Sequence, residues 1–268
     1  MVDLSGRFTW YELMTTDMKA ATAFYAKVMG WGVWDASLPG RPFNLFSAGP
    51  DPVGGLTNLP AAALKTGVNP NWIGYVETDD LDAAAGRIKR LGGTVHVPPT
   101  DIGGVSQFAV FTDPQSSRLG LFKWQQSARR AADPAAPGHV GWHELLAADW
   151  EQAWAFYENL FGWHKAEASV GETGTYQLFA AGGRTIGGML TKTPTILAPI
   201  WLYYFNVGDV DAVTQRVTAG GGRLIHGPIE TPDGRWIAQC TDPQGALFGL
   251  QGKRRPAAPG YFAPAGDR

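Results

Sequence analysis

The sequence lacks most of the features that would assign a chemistry directly. Its single cysteine, Cys240, excludes an internal disulfide and a metal site built from several thiolates. A nucleophilic cysteine would need a basic partner, and no Cys/His spacing indicates one, so a buried thiol is the favoured interpretation. No apolar run approaches the ~20 residues that span a bilayer.

An excess of charge of one sign is also missing. The formal net charge is −2 and the charged residues are interspersed, which gives no electrostatic footprint for nucleic acid or an anionic membrane. The first eight residues, MVDLSGRF, contain no basic region followed by an apolar one, so no signal peptide is predicted. We expect a cytoplasmic protein with neither nucleic acid nor a membrane as partner.

Tryptophan, in contrast, is abundant, with eleven residues, and it marks an internal repeat. The stretch WYELMTTDMKAATAFYAKVMGW at 10–31 returns as WHELLAADWEQAWAFYENLFGW at 142–163. The residues of the first copy that are identical in the second are Trp10, Glu12, Leu13, Asp17, Ala21, Ala23, Phe24, Tyr25, Gly30 and Trp31. A repeat of this quality determines the architecture.

The repeated stretch predicts a strand followed by a helix. Residues 8–15 alternate in polarity and are rich in aromatic and β-branched side chains, which is typical of a strand. Asp17 is placed to cap a helix whose apolar positions recur with helical spacing, and Gly30 is placed to end it. Short apolar segments separated by Gly and Pro follow and predict three strands. This module therefore has the order β-α-β-β-β.

A second kind of module begins at Trp72 and has the same order. A strand at 72–78 leads to Asp80 as the helix cap, Gly92 and Gly93 end the helix, and strands follow at 94–97, 106–112 and 118–124. The whole stretch recurs as 201–253. The sequence therefore predicts an α+β protein of four βαβββ modules.

The modules divide the chain into two similar halves joined by a polar linker. The predicted boundaries are 1–124 for the first domain, with modules at 7–60 and 70–124, then 125–138 for the linker, 139–253 for the second domain, with modules at 139–192 and 199–253, and 254–268 for a tail.

This pattern resembles the vicinal oxygen chelate superfamily, which contains glyoxalases, bleomycin resistance proteins and extradiol dioxygenases. The resemblance rests on the first strand, Asp17, the Phe24-Tyr25 pair, Gly30-Trp31 and Asp113-Pro114, all of which return in the second half. The resemblance covers about 240 residues. Within the superfamily, the chain is similar to tandem two-domain actinobacterial members. It implies two glyoxalase-like domains, each with a curved mixed sheet around a cup that holds a divalent metal in the enzymes and a drug in the resistance proteins.

The metal ligands that this resemblance implies are missing. Metal-binding relatives carry His seven residues before the first capping Asp, His or Gln seven before the second, and Glu seven after the Asp of Asp-Pro. The residues at these positions are Trp10, Ile73 and Gly120 in the first half, and Trp142, Leu202 and Gly249 in the second. None of them coordinates Zn, Fe, Ni or Mn. We therefore predict no cofactor, with a divalent metal as the alternative if the ligands have been misaligned.

The alternation of the first strand places a carboxylate in each cup. Glu12 shares its face with Trp10, and Glu144 shares its face with Trp142. Desolvation in a concave apolar site disfavours the charged form and raises the pKa, as for a general acid/base, and the same group could anchor a ligand. Alternatively, both glutamates hold the fold through bonds to the backbone or to a buried arginine.

The other module contributes further candidate ligand-binding residues to the same face: Tyr75 and Glu77 in the first half, and Tyr204 and Asn206 in the second. Tyrosine combines a wide apolar face with one hydroxyl, which is typical of small-molecule pockets, although ordinary sheet packing would place it there as well. Because Glu77 and Asn206 differ, the cups are not chemically identical, and one could bind while the other is structural.

His143 lies beside Trp142 and next to Glu144, which suggests a metal ligand. Strand alternation instead places it on the opposite face, toward the helix, where the first half has Tyr11. We interpret it as a core residue.

Three functions remain open. The first is a metal-free protein that binds a small aromatic or cationic molecule through Trp, Tyr and Glu. The second is an enzyme of the lyase, isomerase, hydroxylase or dioxygenase type, with Glu12 or Glu144 as acid/base or with a metal. The third is an interaction protein whose cups are filled by their own tryptophans. Two cups in one chain are compatible with a monomer or a homodimer.

Overall fold

The computed structural model of the protein describes residues 5–65, 67–125, 133–171 and 174–254. The first half contains β1 (Phe8–Thr15), α1 (Met18–Met29), β2 (Gly32–Asp35), β3 (Asn44–Ala48), β4 (Asp51–Asn58), α2 (Ala61–Lys65), β5 (Asn71–Glu77), α3 (Leu81–Arg90), β6 (Thr94–Ile102), β7 (Ser106–Thr112) and β8 (Arg118–Trp124). The second half contains β9 (Val140–Ala147), α4 (Trp150–Phe161), β10 (His164–Gly171), β11 (Gly174–Ala181), β12 (Arg184–Thr191), β13 (Ile200–Val207), α5 (Val210–Ala219), β14 (Arg223–Glu230), β15 (Trp236–Thr241) and β16 (Leu247–Gly252). The predicted order of all four modules is confirmed.

Each half forms one curved, open, mixed sheet of eight strands. The order is β2-β3-β4-β1-β5-β8-β7-β6 in the first half and β10-β11-β12-β9-β13-β16-β15-β14 in the second. The central pair β1/β5 is antiparallel, whereas β1/β4 and β5/β8 are parallel. Each sheet is thus built from two modules adjacent in the chain, as expected from the tendency of sequential elements to lie side by side.

The helix boundaries follow the predicted caps. The Asp17 side chain accepts a hydrogen bond from the Ala20 N–H, and Asp80 does the same for Ala83. Gly30 ends α1 at φ 72°, a left-handed conformation that favours glycine. The local part of the prediction is therefore confirmed at residue level.

Two segments differ from the prediction. Helix α2 was not predicted; its sequence, Ala-Ala-Ala-Leu-Lys after Pro60, consists of strong helix formers behind a residue suited to a helix start. Strand β6 continues through Pro98 and Pro99 to Ile102, beyond the predicted end at 97. The prolines are tolerated because β6 is an edge strand and its register shifts between Val97 and Thr100.

The two halves share one hydrophobic core. Helix α1 packs against α5, and α3 packs against α4, so that each helix pair joins the domains. The buried faces of α1, α3, α4 and α5 and the back of each sheet contribute to a single buried cluster that includes Phe24, Tyr25, Phe156, Tyr157 and Cys240. Cys240 is completely buried and its pKa is raised to about 12 by burial, which agrees with the predicted structural thiol.

Two reciprocal hydrogen-bond chains cross between the halves inside this core. Trp201 donates from Nε1 to the Tyr157 hydroxyl at 3.0 Å, and Tyr157 donates to Asp113 of the first half at 2.9 Å. In the mirrored chain, Trp72 donates to Tyr25 at 2.9 Å, and Tyr25 donates to Asp242 of the second half at 3.3 Å. The residues that define the repeat are thus the ones that join its copies.

Parts of the predicted linker and of the predicted tail are not among the described residues. Residues 126–132 of the predicted linker and residues 255–268 of the predicted tail lie outside the described residues. Among the helices that are described, none has the length and apolar character needed to cross a bilayer.

The reciprocal chains predict a measurable loss of stability. In Tyr157→Phe the buried indole N–H of Trp201 and the carboxylate of Asp113 each lose a partner, which should reduce the free energy of unfolding by about 1–3 kcal/mol. Tyr25→Phe should cost a similar amount. Equilibrium unfolding in urea measures both.

The matched control is Thr193→Ala, which removes an exposed hydroxyl contact to Thr195 and should change the free energy of unfolding by less than about 0.5 kcal/mol. Tyrosine variants as stable as this control would show that the chains do not hold the domains together.

Candidate ligand-binding site

The first sheet encloses a cavity of about 720 Å³ on the face turned away from the shared core. Strand alternation places Trp10 and Glu12 in this cavity and sends Tyr11 and Leu13 into the core. We call this cavity the first cup. Its aromatic lining is Trp10, Phe43, Tyr75, Phe108, Phe122 and Trp124.

Loops complete the wall of the first cup. The β2–β3 loop contributes Leu38 and Arg41, and the β6–β7 turn contributes Val105. The Arg41 guanidinium lies 5.4 Å from the ring centroid of Phe108, within the range of a cation–π contact. The cup is therefore mainly apolar, with a cation on its loop side.

Glu12 is a buried acid on the floor of the first cup. Its side chain is 9% exposed, and the Tyr75 hydroxyl donates to Glu12 Oε2 at 3.2 Å. Burial raises the pKa of Glu12 to about 7, and the Tyr75 hydrogen bond and the positive charge of Arg41 oppose this rise only in part. At neutral pH both protonation states are populated, as expected for a carboxylate beside tryptophan in an apolar site.

Tyr75 lies over a glycine on the neighbouring strand. Tyr75 pairs with Gly120 between β5 and β8, and any Cβ at position 120 would overlap the tyrosine ring. Tyr204 covers Gly249 in the same way. Gly120 and Gly249, the positions at which the resemblance implies a metal-binding glutamate, therefore have no room for a side chain beneath these rings.

The donor set of the cups does not fit a divalent metal. Across the described ranges, no three His, Cys, Asp or Glu side chains lie close enough together to hold an ion. His143 is used elsewhere: Nδ1 donates to the Ile186 carbonyl and Nε2 accepts from Tyr11, both at 2.6 Å. Burial lowers the pKa of His143 to about 4, so this core histidine is neutral. The predicted core role of His143 is confirmed.

The second sheet places Trp142, Glu144 and Tyr204 at the positions equivalent to Trp10, Glu12 and Tyr75. We call their surroundings the second cup. Tyr204 donates to Glu144 Oε2 at 2.8 Å, and the Tyr176 hydroxyl lies near enough to this carboxylate to lower its pKa. Burial raises the pKa of Glu144 as well, while these hydroxyls lower it.

Glu77, predicted for the first cup, and Asn206, predicted for the second, both make other contacts. Glu77, at the end of β5, lines a smaller cavity of about 200 Å³ between the domains, which shares Trp124 with the first cup. Asn206 donates to the Pro134 and Ala136 carbonyls and accepts from Gln251, so it holds the end of the linker. Neither residue enters the binding site proposed below.

Several lining residues were missed by sequence reasoning. Phe122 and Trp124 could have been found, because they follow Gly120 at strand spacing and so share its face. Arg41 and Phe43 could not, because they belong to an irregular loop that carries no periodicity.

Comparison with known proteins agrees with this architecture. Residues 7–120 and 137–250 each match the sequence family described as the Glyoxalase/Bleomycin resistance protein/Dioxygenase superfamily. The glyoxylase-like protein CFP32 of Mycobacterium tuberculosis is 32% identical over 248 residues, 91% of this chain and 94% of the relative. The anthracycline biosynthesis protein DnrV of Streptomyces peucetius is 30% identical over 275 residues, 97% of each chain.

Solved structures are similar in fold. The Mn(II)-bound glyoxalase from Novosphingobium aromaticivorans superposes with a TM-score of 0.64 at 16% identity, over 94% of this chain and 83% of that one. The 2,3-dioxygenase LapB from a Pseudomonas species gives 0.65 at 11% identity, over 97% and 96%. Together with both halves of the sequence match, these findings confirm the resemblance: the chain belongs to the glyoxalase/bleomycin resistance protein/dioxygenase superfamily, as a tandem two-domain member.

Proposed function

We propose that the first cup binds a flat aromatic small molecule without a metal, between its aromatic walls, with Glu12 and Tyr75 as the polar anchor. The observation that carries this proposal is a cavity of about 720 Å³ that combines six aromatic side chains with one buried carboxyl group. Small-molecule sites commonly have volumes of roughly 300–1,000 Å³, apolar walls and a few convergent polar groups.

The lining favours a planar ligand over an aliphatic one. Trp10 and Trp124 meet edge to face, with ring centroids 6.3 Å apart, and Phe122 lies 4.7 Å from Trp124. These rings present faces and edges on which another aromatic ring can pack, a contact worth about 0.5–1.5 kcal/mol beyond burial of area. The name of the relative DnrV, an anthracycline biosynthesis protein, supports a ligand with fused aromatic rings.

A metal-free enzyme is the second candidate, and the pKa of Glu12 favours it. A carboxyl group with a pKa of about 7 can both accept and release a proton at neutral pH. Such an enzyme would use Glu12 to move a proton on a ligand held by the aromatic walls. Solvent-deuterium exchange into bound ligand, lost in Glu12→Gln while binding persists, would distinguish catalysis from binding alone.

Binding in the first cup predicts a selective effect of Trp124. Trp124→Ala should weaken the affinity for a flat probe such as anthraquinone by roughly tenfold, because it removes one aromatic wall. Isothermal titration calorimetry measures this affinity.

Trp142→Ala in the second cup is the matched control and should leave the affinity within about twofold. Equal losses in both variants, or no binding of two- and three-ring aromatic probes to the wild type, would contradict the proposal.

The raised pKa of Glu12 predicts a pH-dependent stability. Between pH 4.5 and 7 the folded protein keeps a proton that the unfolded chain has lost, so the free energy of unfolding should decrease as pH rises. Relative to Glu12→Gln, the wild type should lose about 3 kcal/mol across this window. Urea unfolding of both proteins at several pH values measures the difference.

Glu144→Gln should show a smaller pH-dependent difference, because the Glu144 carboxylate keeps several hydrogen-bond donors when it ionises. Parallel stability curves for the wild type and Glu12→Gln would show that Glu12 titrates normally.

A further inference from the structure

We propose that the second cup is occupied by its own side chains, and that these side chains show which group the ligand of the first cup supplies: an O–H or N–H donor on an aromatic ring, directed at Glu12. This inference rests on the proposed function and specifies the class of ligand. It follows from comparing residues at equivalent strand positions in the two sheets.

Strand register defines two informative pairs. Leu45 pairs with Gly55 and Leu178 pairs with Gly188, so the ring of Phe43 in the first cup and the ring of Tyr176 in the second cover equivalent glycines. Val110 pairs with Gly120, and Gln239 pairs with Gly249. Val110 and Gln239 are therefore equivalent as well.

In the second cup, both of these residues place a polar group with a hydrogen to donate beside the acid. The Tyr176 hydroxyl accepts from Trp142 Nε1 at 2.9 Å and lies near enough to the Glu144 carboxylate to lower its pKa. Gln239 Nε2 lies 2.9 Å from the Tyr204 hydroxyl and 3.5 Å from Glu144 Oε2. The Glu144 carboxylate is thus surrounded by donors from three strands.

In the first cup, Phe43 and Val110 have no donor to offer. Within the part of the chain that the structure describes, Tyr75 is the hydrogen-bond partner of Glu12. A carboxylate has room for several hydrogen bonds, and a buried one is stabilised by each that it accepts. Phe43, which is equivalent to Tyr176 but has no hydroxyl, lines the cavity together with Glu12, so a ligand there can provide the missing donor.

Arg235 lies on the solvent side of the second cup, with its side chain 43% exposed. Its guanidinium forms an ion pair with Asp233 at 2.6 Å, donates to Gln251 at 3.0 Å and lies 5.8 Å from the ring centroid of Trp142. The equivalent residues of the first cup are Ser106, which is small, and Phe122, which is aromatic. At these two positions the first cup has neither the guanidinium nor the amide of the second cup, and Phe122 adds to its aromatic surface. We therefore expect one ligand per chain.

Matched probe pairs test the inference by calorimetry with the full chain. We would compare 2-naphthol with 2-methoxynaphthalene, and 2-hydroxyanthraquinone with its methyl ether. The hydroxyl compound of a pair should bind roughly tenfold or more tightly, with one equivalent per chain, because its methyl ether cannot donate to Glu12.

The outcomes separate this inference from the proposed function. Equal affinities within each pair would overturn the donor assignment and leave the aromatic site standing. Two equivalents per chain would overturn the occupied second cup. No binding on either scaffold would overturn the proposed function, and this inference with it.

Exchanging residues between the cups tests the same point from the protein side. Phe43→Tyr and Val110→Gln, singly and together, should reduce the preference for the hydroxyl compound to about twofold or less, because the protein then supplies the donors. Tyr176→Phe in the second cup is the matched control and should keep the preference. If folded Phe43→Tyr and Val110→Gln proteins, checked by near-UV circular dichroism, retain the full preference, the inference is wrong.

Discussion

A tyrosine hydroxyl that donates to a carboxylate of the other domain, repeated twice by the internal symmetry, is the interaction on which this architecture depends. Tyr157 reaches Asp113, and Tyr25 reaches Asp242, each backed by an indole N–H. Because these contacts lie in a core common to both halves, neither sheet buries its helices alone. The back of each sheet packs against the partner domain, and the opposite face of each sheet forms a cup.

Because only the back of each sheet packs in the shared core, the residues that line the two cups can differ. Mutations on the cup face leave the shared core untouched, so one half can keep an open aromatic cavity while the other fills with donors. Glu12 and Glu144 illustrate the result: both are buried at equivalent positions, but one has Tyr75 as its partner and the other has Tyr204, Tyr176 and Gln239 around it. Duplication supplied the same framework twice, and the residues around the acid distinguish the two cups.

Local signals predicted most of the fold. The four capping aspartates, the left-handed Gly30 and the alternation of β1 all depend on neighbouring residues, which a sequence displays directly. Strand alternation also predicted that Trp10, Glu12 and Tyr75 line the first cup. Contacts such as Tyr157 with Asp113 join residues far apart in the chain, and no spacing rule encodes them. Arg41 and Phe43 reach the cup from a loop whose path depends on the finished sheet.

The central claim is that the first cup is an aromatic binding site built around Glu12 in place of a metal. A crystal structure of the protein soaked with 2-hydroxyanthraquinone tests it most directly. We predict a ring system between Trp10, Phe108 and Trp124, with its hydroxyl within hydrogen-bond distance of Glu12 and no metal ion beside it. We also predict that the second cup is occupied by Tyr176 and Gln239. A ligand bound in the second cup or between the domains, or a metal ion coordinated in the first cup, would contradict the account.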